Sequence, residues 1–99
     1  LKGHLDPQGT IHVDRGAAKA MASGASLLAV GMVSVSGHFE RGDAVAIENT
    51  DGAIIAKGIT AYSAHEVAQV IGLQSDKVEA VLGYRGRPAI IHRDDMVLI

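Results

Sequence analysis

Five histidines, His4, His12, His38, His65 and His92, are the residues best suited to metal or acid–base chemistry in this chain. No two lie closer than eight positions, so none forms the one-turn pair that grips a metal from a helix. There is no cysteine, hence no thiolate ligand and no disulfide. The histidines therefore read as surface or core-edge residues, with no metal site. His92-Arg93-Asp94 has the composition of the protein-kinase catalytic triplet. That triplet works only with a downstream Asn, a Gly-rich loop and a strand lysine, none of which is present. Asp94 and Asp95 instead predict a turn between two strands, with aspartate accepting backbone N–H groups. Arg41-Gly42-Asp43 matches the cell-adhesion tripeptide, but without a secretory context it reads as a tight turn ahead of a strand. Gly31 and Gly37 flank a strand and open no helix, so they cradle no phosphate. Spacing alone defines no Ser–His–Asp arrangement. No catalytic residue is assigned, and the chain by itself is expected to be non-catalytic.

The cations give a second line of chemistry. Arg15 and Lys19 stand four apart, on one face of a predicted helix. Lys77, Arg85, Arg87 and Arg93 form a stretch with one acid, Glu79, and read as a solvated face. Nine basic and eleven acidic side chains leave a formal charge of −2. A dedicated nucleic-acid binder carries a basic excess, because phosphate neutralisation supplies most of its affinity, and this chain has none overall.

The elements that position these residues are legible from pattern. Thr10–Asp14 alternates as a first strand. Asp14 caps a helix from Arg15 to about Ser23, whose face of Ala17, Ala18, Ala20 and Met21 is small enough to lie close to a sheet. Gly24 stands at its C′ position. Leu27 to Val35 predicts one strand bent or bulged at Gly31. Ala44–Glu48 and Ile54–Ala61 are strands joined through Asp51-Gly52, a hairpin signal. Ser63-Ala-His-Glu66 is a capping box, with Tyr62 placed to staple onto Val67, and Gly72 ends that helix. Ser75 is expected to cap a further short helix ending at Gly83. Ala89–His92 and Met96–Ile99 are the last strands. Such an order predicts a mostly β fold, a small pseudobarrel of mainly antiparallel strands with helices at its ends.

Ninety-nine residues make one domain. Its core must come from Val, Ile, Leu, Ala and Met, since Phe39, Tyr62 and Tyr84 are the only aromatics. Lys2 is followed by no apolar stretch, so no signal peptide is read, and the longest apolar run, Leu27 to Val33, is far short of a membrane span. A cytoplasmic setting is expected. The chain starts at Leu1 rather than at Met, which suggests a piece of a longer protein, with residues 1–9 as a connector and 10–99 as the domain.

Gly24-Ala-Ser-Leu-Leu, Gly31 and Phe39-Glu-Arg-Gly-Asp43 together resemble the PUA domain, a β-rich module of RNA-modifying enzymes. Leu82-Gly-Tyr84, the ending Ile91-His-Arg-Asp-Asp-Met-Val-Leu98 and the connector Leu5–Thr10 resemble the C-terminus of the bacterial glutamate 5-kinase family. One departure is Asp95, where Asn is expected in most relatives. The resemblance implies a parent enzyme that phosphorylates the side-chain carboxylate of L-glutamate, the first step of proline synthesis. ATP and Mg would be held in a kinase domain ahead of this chain. The resemblance implies two roles for the domain itself. One is regulation or assembly, by contact with its own kinase domain or a neighbouring subunit of a homo-oligomer. The other is weak RNA binding; in PUA members that bind RNA the contacts fall on positions matching Arg15, Lys19, Gly24, Ala25 and Ser26. The plainer reading is that Gly24 ends the helix and both cations are solvated. A PUA domain of an RNA-modifying enzyme is the alternative parent.

Overall fold

Asp14 divides the first strand from the first helix. Its Oδ1 accepts the Ala17 N–H at 2.7 Å, satisfying a donor that helix geometry leaves orphaned. The computed structural model describes residues 7–83 and 89–99. Residues 1–6 of the expected connector, with Tyr84, Arg85 and Arg87, lie outside the described residues.

The described elements run β1 (Gly9–Val13), α1 (Arg15–Ala22), β2 (Leu27–Leu28), a 3₁₀ turn (Ala29–Gly31), β3 (Met32–Gly37), β4 (Ala44–Glu48) and β5 (Ile54–Ile59). Then come α2 (Ala64–Val70), α3 (Ser75–Leu82), β6 (Ala89–Ile91), a second 3₁₀ turn (Arg93–Asp95) and β7 (Met96–Leu98). Five strands form one sheet in the order β3-β1-β4-β5-β7, and β2 pairs with β6 in a second, two-stranded sheet. All pairings are antiparallel except β1 with β4. The mostly β architecture is as the sequence predicts, with that one parallel pairing inside it.

The two sheets close on each other around one core. Ile11, Leu27, Val45, Ile47, Val67, Val70 and Ile91 are fully buried in it. The Ala61 N–H donates to the Ile90 carbonyl at 2.9 Å, tying the end of β5 to β6. A Cβ on Gly58 would stand 2.7 Å from Ile91 Cγ2, so β6 crosses β5 where β5 has no side chain. Phe39 and Tyr62 also enter this core, beside the predicted aliphatic residues. Tyr62 and Val67, the predicted staple pair, are both buried there.

Two local expectations are corrected, the strand at Leu27–Val35 and the cap of the second short helix. Leu27 to Val35 is not one bent strand: Gly31 ends a 3₁₀ corner that sends β2 and β3 into different sheets. The corner is fixed by the Gly31 carbonyl, which accepts the Asp14 N–H at 2.9 Å, and the Ala29 carbonyl, which accepts the Gly72 N–H at 2.9 Å. At the turn Arg93–Asp95 His92 is the N-cap, its Nδ1 accepting the Asp94 N–H at 3.1 Å. Gln74, not Ser75, is the N-cap residue of α3. The capping box of α2 forms as predicted, with Glu66 N–H on Ser63 Oγ at 3.3 Å and Ser63 N–H on Glu66 Oε1 at 3.0 Å. No helix among the described residues is long and apolar enough to cross a membrane.

Candidate functional site

A cleft suited to a ligand lies between α1 and the β2 corner. It measures about 360 Å³, with Gly16, Ala17 and Ala20 on the helix wall, Ala25 and Ser26 at the end, and Leu28 and Val30 opposite. Its floor exists because two small residues meet: a Cβ on Gly31 would stand 2.4 Å from Ala17 Cβ. The alanine-rich helix predicted to lie close to a sheet does so at this point. Leu28 and Val30 keep 41% and 43% of their surface exposed, so apolar groups edge the cleft. Such walls suit a flat, apolar face such as a nucleobase or a side chain better than a bare phosphate. The acid lining the cleft, Asp14, already holds its Oδ1 on the helix end.

The five RNA-site candidates divide around this cleft. Ala25 and Ser26 line it. Arg15 and Lys19 are exposed on α1 and Gly24 is exposed in the turn after it, none of them lining the cleft. Gly24 takes φ +96°, a left-handed conformation that favours glycine, and nothing lies within 4 Å of where its Cβ would be. Ser26 Oγ accepts the Arg93 N–H at 2.9 Å, which ties the turn to the C-terminal 3₁₀ segment. The reading from sequence missed Gly16, Leu28, Val30 and the floor at Gly31. Its available signal was the pairing of a Gly/Ala helix with a glycine inside an apolar run.

A second opening of about 360 Å³ lies across the sheet, beside His12, Ser34, Glu48 and Asn49. His12 Nδ1 and Glu48 Oε1 are 3.1 Å apart on the neighbouring strands β1 and β4. His38, His65 and His92 are exposed elsewhere. Among the described residues, no three His, Cys, Asp or Glu side chains gather as a metal site.

Residues 9–82 match the family model of the PUA domain. The chain belongs to the PUA family. Over 98 residues, 99% of the chain, it is 49% identical to the glutamate 5-kinase of Bartonella henselae, covering 26% of that protein. The glutamate 5-kinases of Rhizobium rhizogenes and Brucella ovis are 47% and 50% identical over the same length. The match falls on their C-terminal region, and the chain spans about a quarter of the length of these relatives. Among solved structures, a PUA domain from Aeropyrum pernix K1 in a tartrate complex aligns with a TM-score of 0.61 at 30% identity, covering 85% of this chain and 41% of that one. The archaeal box H/ACA sRNP Nop10–Cbf5 complex aligns with a TM-score of 0.59 at 22% identity, over 88% of this chain and 26% of that one, a likeness of fold. With glutamate 5-kinases as the curated relatives, an RNA-modifying parent is not favoured.

Proposed function

We propose that this chain is the C-terminal PUA module of a glutamate 5-kinase. The observation that carries the reading is 47–50% identity, over 99% of the chain, to the C-terminal region of enzymes of that name. The parent would transfer the γ-phosphate of ATP to the side-chain carboxylate of L-glutamate, giving L-glutamyl 5-phosphate for proline synthesis. ATP and Mg would bind upstream, because phosphoryl transfer needs cations and a metal around the phosphates, and the described residues of this module gather no metal ligands. Residues 1–9 would connect the two domains. The module itself would act in regulation or assembly, through its kinase domain or a neighbouring subunit. A coupled ADP-release assay on the full-length protein and on the 99-residue chain tests this. Glutamate-dependent turnover is expected in the first alone.

A second reading concerns RNA. The cleft beside α1, with Arg15 and Lys19 on the same helix and Gly24, Ala25 and Ser26 at its end, supports weak binding of a single strand. Two exposed cations on α1, with no exposed aromatic ring among the described residues, leave little drive for it.

A further inference from the structure

The outer face of the five-stranded sheet changes character from one edge to the other. One row of cross-strand neighbours runs Ser36, Thr10, Ala46, Lys57, Val97, from β3 to β7. At the β3–β1 side the next row is also polar, Ser34 beside His12. At the β5–β7 side it is apolar. Of the nine exposed large hydrophobic residues among those described, five (Ile54, Ile59, Val97, Leu98 and Ile99) belong to β5, β7 or the residue after β7. Val97 and Ile99 are exposed to 71% and 73%, more than any other residue in that group. Leu98 pairs with buried Ala56 and so stands on the face opposite Val97, whereas Ile59, Val97 and Ile99 alternate onto the outer face with Lys57. Exposed apolar groups gathered on one face in this way mark an interaction surface.

The route of the chain says what reaches it. The Gln8 N–H donates to the Ala44 carbonyl at 2.8 Å, and Ala44 pairs with Ile59. The polypeptide leading into β1 therefore passes two strands from Ile59 and three from Val97, roughly 10 and 15 Å at the usual strand spacing. Four or five extended residues cover that distance at about 3.5 Å each. In the glutamate 5-kinases about three quarters of the chain lies outside the matched region, ahead of it. A domain of that size, tethered ahead of Gln8, can reach this side of the sheet.

We infer that the apolar end of the sheet, Ile59, Val97 and Ile99 around Lys57, seats the domain that precedes this module. The inference rests on the proposed function above. The matching surface on that domain is apolar with an acidic group opposite Lys57. The module lacks cysteine, so Val97→Cys and Val33→Cys each introduce one thiol into it. Val33 is 57% exposed on β3, the opposite edge strand, and serves as the reference. Maleimide labelling of the full-length protein, read peptide by peptide by mass spectrometry, should be at least about tenfold slower at Val97→Cys than at Val33→Cys, as for a site in the dry core of an interface. The ratio should hold on dilution. Equal rates in a protein that retains glutamate-dependent ADP release overturn the docking alone. A ratio that collapses on dilution assigns the patch to a second copy and overturns it too. A full-length protein with no such activity removes the reading beneath the inference, and the inference with it.

Discussion

Gly31 and Ala17 touch where α1 crosses the β2 corner, and the contact sets the depth of the cleft. With a would-be Cβ only 2.4 Å from Ala17 Cβ, Gly31→Ala must push helix and corner apart. The expected cost is about 1–3 kcal/mol, as for other overpacked sites. In an Ala17→Gly background the cost should fall, because the clashing methyl is gone; urea melts of the four proteins of this cycle give the coupling directly. Equal costs in both backgrounds would show that the helix does not rest on this glycine. Arg15 and Lys19 carry the other prediction at this scale. Two or three phosphate contacts to a single strand give a slope of about −1.4 to −2 in log K against log salt. Titration of labelled RNA at low and moderate salt should show weak, salt-sensitive binding that Arg15→Glu with Lys19→Glu abolishes. Binding that survives moderate salt, or survives the double substitution, places the RNA surface elsewhere. The candidates themselves came from sequence likeness to the PUA family. Leu28 and Val30 were not legible, because an apolar run says nothing of which members a corner leaves exposed.

Among the elements, α2 shows sequence acting locally. Ser63 and Glu66 satisfy each other's backbone N–H groups, and Glu66 also holds Arg41, whose Nε donates to Oε1 at 2.9 Å, from the link between β3 and β4. Ser63→Ala should cost about 1 kcal/mol. For a domain of this size that is a fall in melting temperature of roughly 4–8 °C. An unchanged melting temperature would mean that the cap is redundant. This box, the Asp14 cap and the Asp51-Gly52 hairpin were all legible, since each is decided within a few residues. In the hairpin Gly52 takes φ +82°, and Asn49 Oδ1 accepts the Asp51 and Ala53 N–H groups at 2.9 and 3.0 Å. What was not legible depends on distant partners. The break at Gly31 is set by Asp14 and Gly72, and the assignment of β6 and β7 to different sheets by β2 and β5. The parallel pairing of β1 with β4 likewise joins strands that no local pattern brings together.

At the scale of the whole molecule, the described residues form a two-sheet β module with an apolar cleft beside α1 and an apolar end to its larger sheet. Neither holds the cations, metal ligands or phosphate loop of a kinase among the described residues. Histidine spacing and the missing phosphate loop left no catalytic site to assign from the sequence, and the likeness to glutamate 5-kinases implies chemistry ahead of this chain. The measurement that bears most directly on this account is glutamate-dependent ADP release, with ATP and magnesium, by the full-length protein and by the purified 99-residue chain at equal molarity. The account predicts turnover by the full-length protein and none above the no-protein control by the chain, while the chain still melts in one cooperative transition. Turnover by the isolated chain, or none by the full-length protein, would contradict it.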